Sequence, residues 1–251
     1  MKIVIFGGTT EGRNLSHDLA ALGADVTVCV ATDYGREVQG NRNGIAVLTG
    51  RLDCDGMAGI LKKTALCIDA THPYAEQATI NIKSAAERAN VPYKRLLRRK
   101  SPVSYEGITV KNAEEAADYL QGTDGNILLT TGVKELAAFL KLGEARLFPR
   151  VLPDASSLLI CDRLGIPRRN IIAMQGPFSE EMNAATLRQF SIKYLVTKDG
   201  GVIGGFLQKA AAAQKTGAEL LIISRPEESG EEYDEVLKCC KEMILKNESS
   251  F

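Results

Sequence analysis

Short apolar runs alternate with stretches whose apolar residues recur three and four positions apart, from Lys2 to Leu245. Continuous apolar runs of this length are what strands buried on both faces look like, and the wider spacing is that of helices laid on a sheet. Lys2–Phe6, Asp25–Val30, Ile45–Thr49, Leu66–Ala70 and Pro92–Leu96 are therefore predicted strands, with helices over Glu11–Leu22, Asp53–Lys63 and Ala75–Ala89. Leu15, Leu19 and Leu22 carry the helical spacing on one face.

The rhythm breaks at Arg95-Leu96-Leu97-Arg98-Arg99-Lys100-Ser101-Pro102, a cluster of cations ending in proline that marks a connection between domains. A second series follows, with strands over Ile127–Thr131, Arg146–Pro149, Ile171–Gln175, Tyr194–Thr197 and Glu219–Ile223. Its helices are expected near Val133–Leu142, Ala155–Leu164, Glu180–Gln189 and Gly205–Thr216, and a last amphipathic helix, Glu231–Leu245, closes the chain. The expected architecture is α/β: two Rossmann-like, doubly wound parallel-sheet domains, 1–97 and 98–251, with a cleft between them. One continuous sheet is the alternative.

Thirty-one basic residues balance thirty-one acidic ones, which removes the global electrostatic argument for a nucleic-acid or anionic-membrane partner. The six cysteines contain no CxxC pair and no His/Cys/carboxylate spacing forms a metal site, so the expectations are a reducing, cytoplasmic compartment and no metal. The opening apolar run is too short for a signal peptide, and no stretch reaches the length of a bilayer span. Oligomeric state is left open.

The first strand runs into Gly7-Gly8-Thr9-Thr10-Glu11-Gly12, and these six residues are the candidate cofactor-binding turn. Glycines there let the backbone turn sharply and approach a pyrophosphate, whose charge rests on exposed amides and on the positive end of the helix. Thr9 stands at the middle glycine of GxGxxG, so a hydroxyl replaces a backbone contact or pushes the phosphates outward. A tight turn serving packing alone is the competing reading. After the second strand, Thr32 and Arg36 are candidates for the extra phosphate of NADPH, with a solvated loop as the alternative.

The fourth strand delivers Thr71-His72-Pro73-Tyr74 at its carboxyl end, where open α/β sheets bind ligands. Thr71 and His72 would face the cofactor, and His72 and Tyr74 are the candidate proton donors, against an imidazole that merely caps the next helix. In the second half, Thr131-Gly132, Gly176 and Lys198-Asp199-Gly200-Gly201 occupy equivalent strand ends and make a plausible anion-holding wall, with Arg150 and Lys209 as further cations. Tyr194 and Lys198 match the YxxxK spacing of short-chain dehydrogenases, but that pair works on a helix and here falls in a β-rich run, so that class is rejected.

These motifs, with Arg225-Pro226, occur in an order that resembles the precorrin-6A reductase family of cobalamin biosynthesis over nearly the whole chain. Lys100-Ser101-Pro102 and Gly200 depart from that family's pattern. The resemblance implies hydride transfer from NADPH to the carbon 18–carbon 19 double bond of precorrin-6A or its cobalt form. It also implies a macrocycle rich in carboxylates, for which Arg13, Arg95, Arg98, Lys198 and Lys209 are the candidate lining. A reductase of a small carbonyl or imine, and an NADPH-sensing module without chemistry, are the competing functions.

Overall fold

The computed structural model describes residues 1–97, 106–200 and 205–248. The chain divides into two compact units, one made of Met1–Arg99 and Glu227–Phe251 and the other of Lys100–Pro226.

In the first unit, β1 (Lys2–Phe6), β2 (Asp25–Val30), β3 (Ile45–Thr49), β4 (Leu66–Asp69) and β5 (Tyr93–Arg95) form one sheet in the order β3-β2-β1-β4-β5. Every pairing in it is parallel. The helices are α1 (Thr10–Ala21), α2 (Asp33–Gln39), α3 (Cys54–Leu61) and α4 (Glu76–Arg88). Because β1 is followed by β2 on one side and flanked by β4 on the other, the strand order reverses between β1 and β4. A crevice opens there above the carboxyl ends of both strands. Two apolar layers sandwich the sheet. Ile3, Ile5, Leu15, Leu19, Val26 and Val28 belong to one, and Val4, Cys67, Leu61, Ile82 and Ala85 to the other. Alternate residues of β1 thus face opposite layers, which is why the run is apolar throughout.

The second unit holds β6 (Ile108–Val110), α5 (Ala113–Leu120), β7 (Asn126–Leu129), β8 (Leu147–Val151), α6 (Ala155–Arg163), β9 (Ile172–Ala173), α7 (Glu180–Gln189), β10 (Ile192–Lys198), α8 (Phe206–Thr216) and β11 (Glu219–Ile223). Its sheet is also parallel, in the order β6-β11-β10-β7-β8-β9. The order reverses between β7 and β10, so this unit has a crevice of its own at those strand ends.

Three differences from the sequence reading have physical causes. The closing helix, α9 (Tyr233–Glu248), was expected to complete the second domain, but it packs on the first unit. Val236, Cys240 and Ile244, four residues apart, are buried in the same layer as Ile3 and Leu19. The residues Thr32 to Arg36 are not a loop: Thr32 caps α2, which is too short and polar to show apolar periodicity. Val133–Leu142 is a 3₁₀ segment rather than an α-helix. No helix among the described residues is long and apolar enough to cross a membrane.

Candidate active site

At the β1 end, Gly8 takes φ +154° and is solvent-exposed, so the turn is open. A Cβ on Gly8 would sit 3.6 Å from the His72 amide nitrogen and from Thr71 Cα, which places the turn directly against the end of β4. Thr9 is the N-cap of α1: its hydroxyl accepts from the Gly12 amide at 3.1 Å and donates to the Ala70 carbonyl at 3.0 Å. The side chain at the unusual middle position is therefore occupied in fastening α1 to β4, and it takes up only one of the helix's orphan amides, that of Gly12. Gly12 is buried, and a Cβ there would meet Ala70 Cβ at 2.6 Å. Only glycine permits that approach of helix to strand. Thr10 and Glu11 complete the first turn of α1.

An exposed backbone turn, a helix amino terminus and a glycine whose missing side chain leaves room over β4 fit a dinucleotide pyrophosphate. The second candidate group lies at the end of β2. Thr32 Oγ1 accepts from the Gly35 amide at 3.0 Å, and Arg36 lies in α2 beyond it, in an exposed position. Arg13 is turned toward the same helix, donating from Nη1 to the Val38 carbonyl at 3.3 Å, while its Nε is buried without a hydrogen-bond partner.

The end of β4 carries a dense polar network. Asp69 is fully buried, and its Oδ1 accepts from the Thr71 amide at 3.0 Å, from Thr71 Oγ1 at 2.7 Å and from Arg95 Nη1 at 2.8 Å. Tyr93 donates its hydroxyl to Asp69 Oδ2 at 3.1 Å, and burial together with that carboxylate pushes the phenol well above its ordinary range. Beyond Thr71, the Tyr74 amide donates to His72 Nδ1 at 3.4 Å and the two rings stack 5.5 Å apart. That contact leaves the proton of a neutral imidazole on Nε2. The imidazole thus holds the turn that precedes α4, whose own N-cap residue, Ala75, makes no side-chain cap bond.

Arg95, expected among the cations facing substrate, is 5% exposed and spends its donors on Asp69, Thr71 and Glu228. A buried carboxylate demands such a partner, and the sequence signal was Asp69 itself, a charge at the end of an otherwise apolar strand. Arg98 and Gly201 lie outside the described residues.

In the second unit, the β7 and β10 ends adjoin: Thr130 donates its amide to the Val196 carbonyl at 2.9 Å. Thr131 is buried there with no hydrogen-bond partner for its hydroxyl, and Gly132 opens the 3₁₀ segment. Lys198 pairs with Glu135 in the first turn of that segment. Arg225 donates from Nε to the Asp199 carbonyl at 2.7 Å, and the Gly200 amide donates to the Lys198 carbonyl at 2.8 Å.

Nearby, Arg150 at the end of β8 stacks 4.2 Å over the Phe178 ring, beside the cis Gly176–Pro177 bond, and donates to Asn183 Oδ1 at 2.8 Å. Lys209, in the first turn of α8, is 8% exposed. Burial, reinforced by the Arg150 charge and opposed by Asp199, brings its amine down to about 7. Burial likewise lowers Arg150 to about 10. This is a cation-rich, desolvated corner, at which an anionic ligand would restore charge to Lys209. Among the described residues, no group of three or more His, Cys, Asp or Glu side chains gathers as metal ligands.

Comparison with known proteins agrees with this geometry. Residues 2–241 match the family model described as precorrin-6x reductase CbiJ/CobK. The chain is 34% identical over 249 residues to a cobalt-precorrin-6A reductase of Priestia megaterium, covering 96% of each. It is also 34% identical to that of Salmonella typhimurium, covering 89% of this chain and 87% of the relative. A precorrin-6A reductase of Sinorhizobium sp is 30% identical over 236 residues, covering 89% and 85%. Among solved structures, CobK precorrin-6A reductase superposes with a TM-score of 0.78 at 21% identity, over 96% of this chain and 97% of that one, and so shares the fold. With a family match over residues 2–241 and relatives 30–34% identical over most of their length, the chain belongs to the precorrin-6x reductase family, oxidoreductases of cobalamin biosynthesis.

Proposed function

We propose that this protein uses NADPH to reduce precorrin-6A, or its cobalt form, at the carbon 18–carbon 19 double bond. The single observation that carries the reading is the open Gly8 turn seated against the Thr71–His72 end of β4 at the order reversal of the first sheet. The nicotinamide, when bound, supplies the hydride. The chain's own contribution is position. The amides from Gly8 to Glu11 hold the pyrophosphate, that of Gly7 being taken by the Cys29 carbonyl at 2.8 Å, with Gly12 keeping α1 close enough to present them, and Thr32 and Arg36 receive the 2′-phosphate. Thr71 and His72 line the nicotinamide side, and His72 Nε2 or the Tyr74 hydroxyl holds the proton that completes the reduction.

On the second unit, Thr131, Gly132, Gly176, Lys198, Gly200 and Lys209, with Arg150, receive the macrocycle's carboxylates, while Asp199 holds Arg225 beside them; on the first unit, Arg13 is a candidate cation for the same substrate. A carboxylate beside Lys209 raises its depressed pKa, so binding takes up a proton. The six free thiols fit a reducing cytoplasm.

The test is to mix purified protein with NADPH and authentic precorrin-6A or cobalt-precorrin-6A and follow the reduced-nicotinamide absorbance. Loss of that absorbance with one equivalent of reduced macrocycle is expected. Unchanged absorbance with both macrocycles, or turnover of compact imines or carbonyls instead, contradicts the reading.

A further inference from the structure

We propose that Glu228 and Arg95 are positioning residues that set the Thr71–His72 turn, and through it the affinity for the nicotinamide dinucleotide. The inference rests on the reading that the dinucleotide lies at the β1 and β4 ends. Glu228 acts on the turn through the Arg95 guanidinium that it binds. It lies on the segment where the chain returns to the first unit, more than one hundred residues from β4 in sequence.

The geometry is a chain of charge-assisted hydrogen bonds. Glu228 Oε1 accepts from both Nε and Nη2 of Arg95. The opposite nitrogen, Nη1, donates to Asp69 Oδ1 at 2.8 Å and to the Thr71 carbonyl and Oγ1, each at 3.1 Å. Thr71 is thus gripped at its amide and hydroxyl by Asp69 and at its carbonyl by Arg95. The Asp69 and Arg95 side chains are almost wholly buried and that of Glu228 nearly so. In such surroundings the guanidinium's planar fork fixes direction as well as charge. Without Glu228, two of the donors of Arg95 lose their partner, and the plane that aims Nη1 at Thr71 is held from one side only.

Backbone pairing delivers Glu228 to this place. The Glu231 amide donates to the Arg95 carbonyl and the Leu97 amide to the Glu231 carbonyl, both at 2.9 Å. Lys94 binds both carboxylate oxygens of Glu231 on the same pair of segments, at 2.6 and 2.7 Å, one residue from Arg95. It is a built-in control: an ion pair of similar reach that ties the same segments together without gripping the turn.

The experiment compares Glu228→Gln, Arg95→Lys and Glu231→Gln with the natural protein. NADPH dissociation constants come from fluorescence titration, kcat and both KM values from turnover of the macrocycle, and folding from urea midpoints. Glu228→Gln should weaken NADPH binding and raise its KM on the order of tenfold, while the KM for the macrocycle holds. Arg95→Lys, which cannot span both carboxylates, should do the same and serves if Glu228→Gln does not fold. Glu231→Gln should shift the urea midpoint without moving the NADPH constant. Equal effects of Glu228→Gln and Glu231→Gln on NADPH, or none from Glu228→Gln, overturn the proposal. Gly8→Val separates the two layers: if it weakens NADPH binding and Glu228→Gln does not, positioning alone fails, and if Gly8→Val is itself silent, the nucleotide reading fails.

Discussion

Gly12 shows how one missing methyl group sets the site. Its Cβ position lies 2.6 Å from Ala70 Cβ, and both atoms are fixed to backbone, so neither can rotate away. Gly12→Ala must therefore push α1 off β4, at a cost of about 1–3 kcal/mol, and should carry the pyrophosphate amides with it. A lower urea midpoint with weaker NADPH binding is expected, and an unchanged affinity would separate helix packing from nucleotide binding. The first and last glycines were legible in the sequence because their spacing follows a strand and opens a helix. What Thr9 does was not, because its partner, the Ala70 carbonyl, lies sixty-one positions away. Arg95 was placed among the substrate-facing cations for a similar reason: nothing local shows that the carboxylates at 69 and 228 fold onto it.

Lys209 makes a prediction about pH. Its folded pKa of about 7 lies below that of an unfolded lysine, near ~10.4, so the unfolded chain binds the proton more tightly. By linkage this group lets stability rise as pH increases from about 7 to about 10.4, with the full penalty present below that window and none above it. Lys209→Met should accordingly stabilise the free protein at pH 6–7 by roughly 2 kcal/mol, and the gain should shrink as pH approaches 10. Thermal denaturation at several pH values checks this. A destabilised variant at pH 6–7 would mean that the ammonium is well compensated. The same variant should bind the macrocycle more weakly.

Among the elements, the central strands β1, β2 and β4 were legible almost to the residue, because a doubly covered parallel strand is apolar at nearly every position and cannot be mistaken for a loop. Short edge and polar elements escaped. The three-residue β6 has too few positions to show a pattern. Ahead of α5 the available signal was local: Asn112 caps the helix by accepting from the Glu115 amide, and Glu115 Oε2 accepts from the Lys111 amide, a reciprocal capping pattern. The helix α9 was recognised as amphipathic but given the wrong partner, since periodicity says that a face is buried and not against what. Its apolar face joins the layer of Leu15 and Leu19, and the Tyr233 hydroxyl donates to Asp18 Oδ2 at 2.7 Å. Val236→Asp places a carboxylate in that layer and should cost roughly 3–5 kcal/mol. Hydrogen exchange should then show the protection of β1 and α1 falling while β7 and β10 keep theirs. Loss confined to the second unit would contradict the placement.

At the scale of the whole molecule, two parallel sheets each reverse their strand order once; Gly7–Gly12 and Thr71–Tyr74 fall at the first reversal and Thr131, Gly132 and Lys198 at the second, while Thr32, Arg150 and Gly176 lie at other strands. Polar residues interrupting apolar runs were visible from the start, but the sequence reading gathered them into one cleft, because strand order, which gives each sheet its own reversal, is not written in local patterns. The chain's zero formal charge conceals a local imbalance, with Arg150 and Lys209 desolvated together in the second unit. Composition averages over such a corner, and only folding exposes it. The family relation extends the same logic across the chain, since matches over residues 2–241 include both sheets.

The most direct test of the central claim is a crystal structure of the protein with NADP⁺. The pyrophosphate oxygens should lie about 3 Å from the backbone amides of the Gly8–Glu11 turn, the 2′-phosphate beside Thr32 and Arg36, and the nicotinamide against Thr71 and His72. A dinucleotide seated at the β7 and β10 ends instead, with the Gly8 turn untouched, would contradict the account.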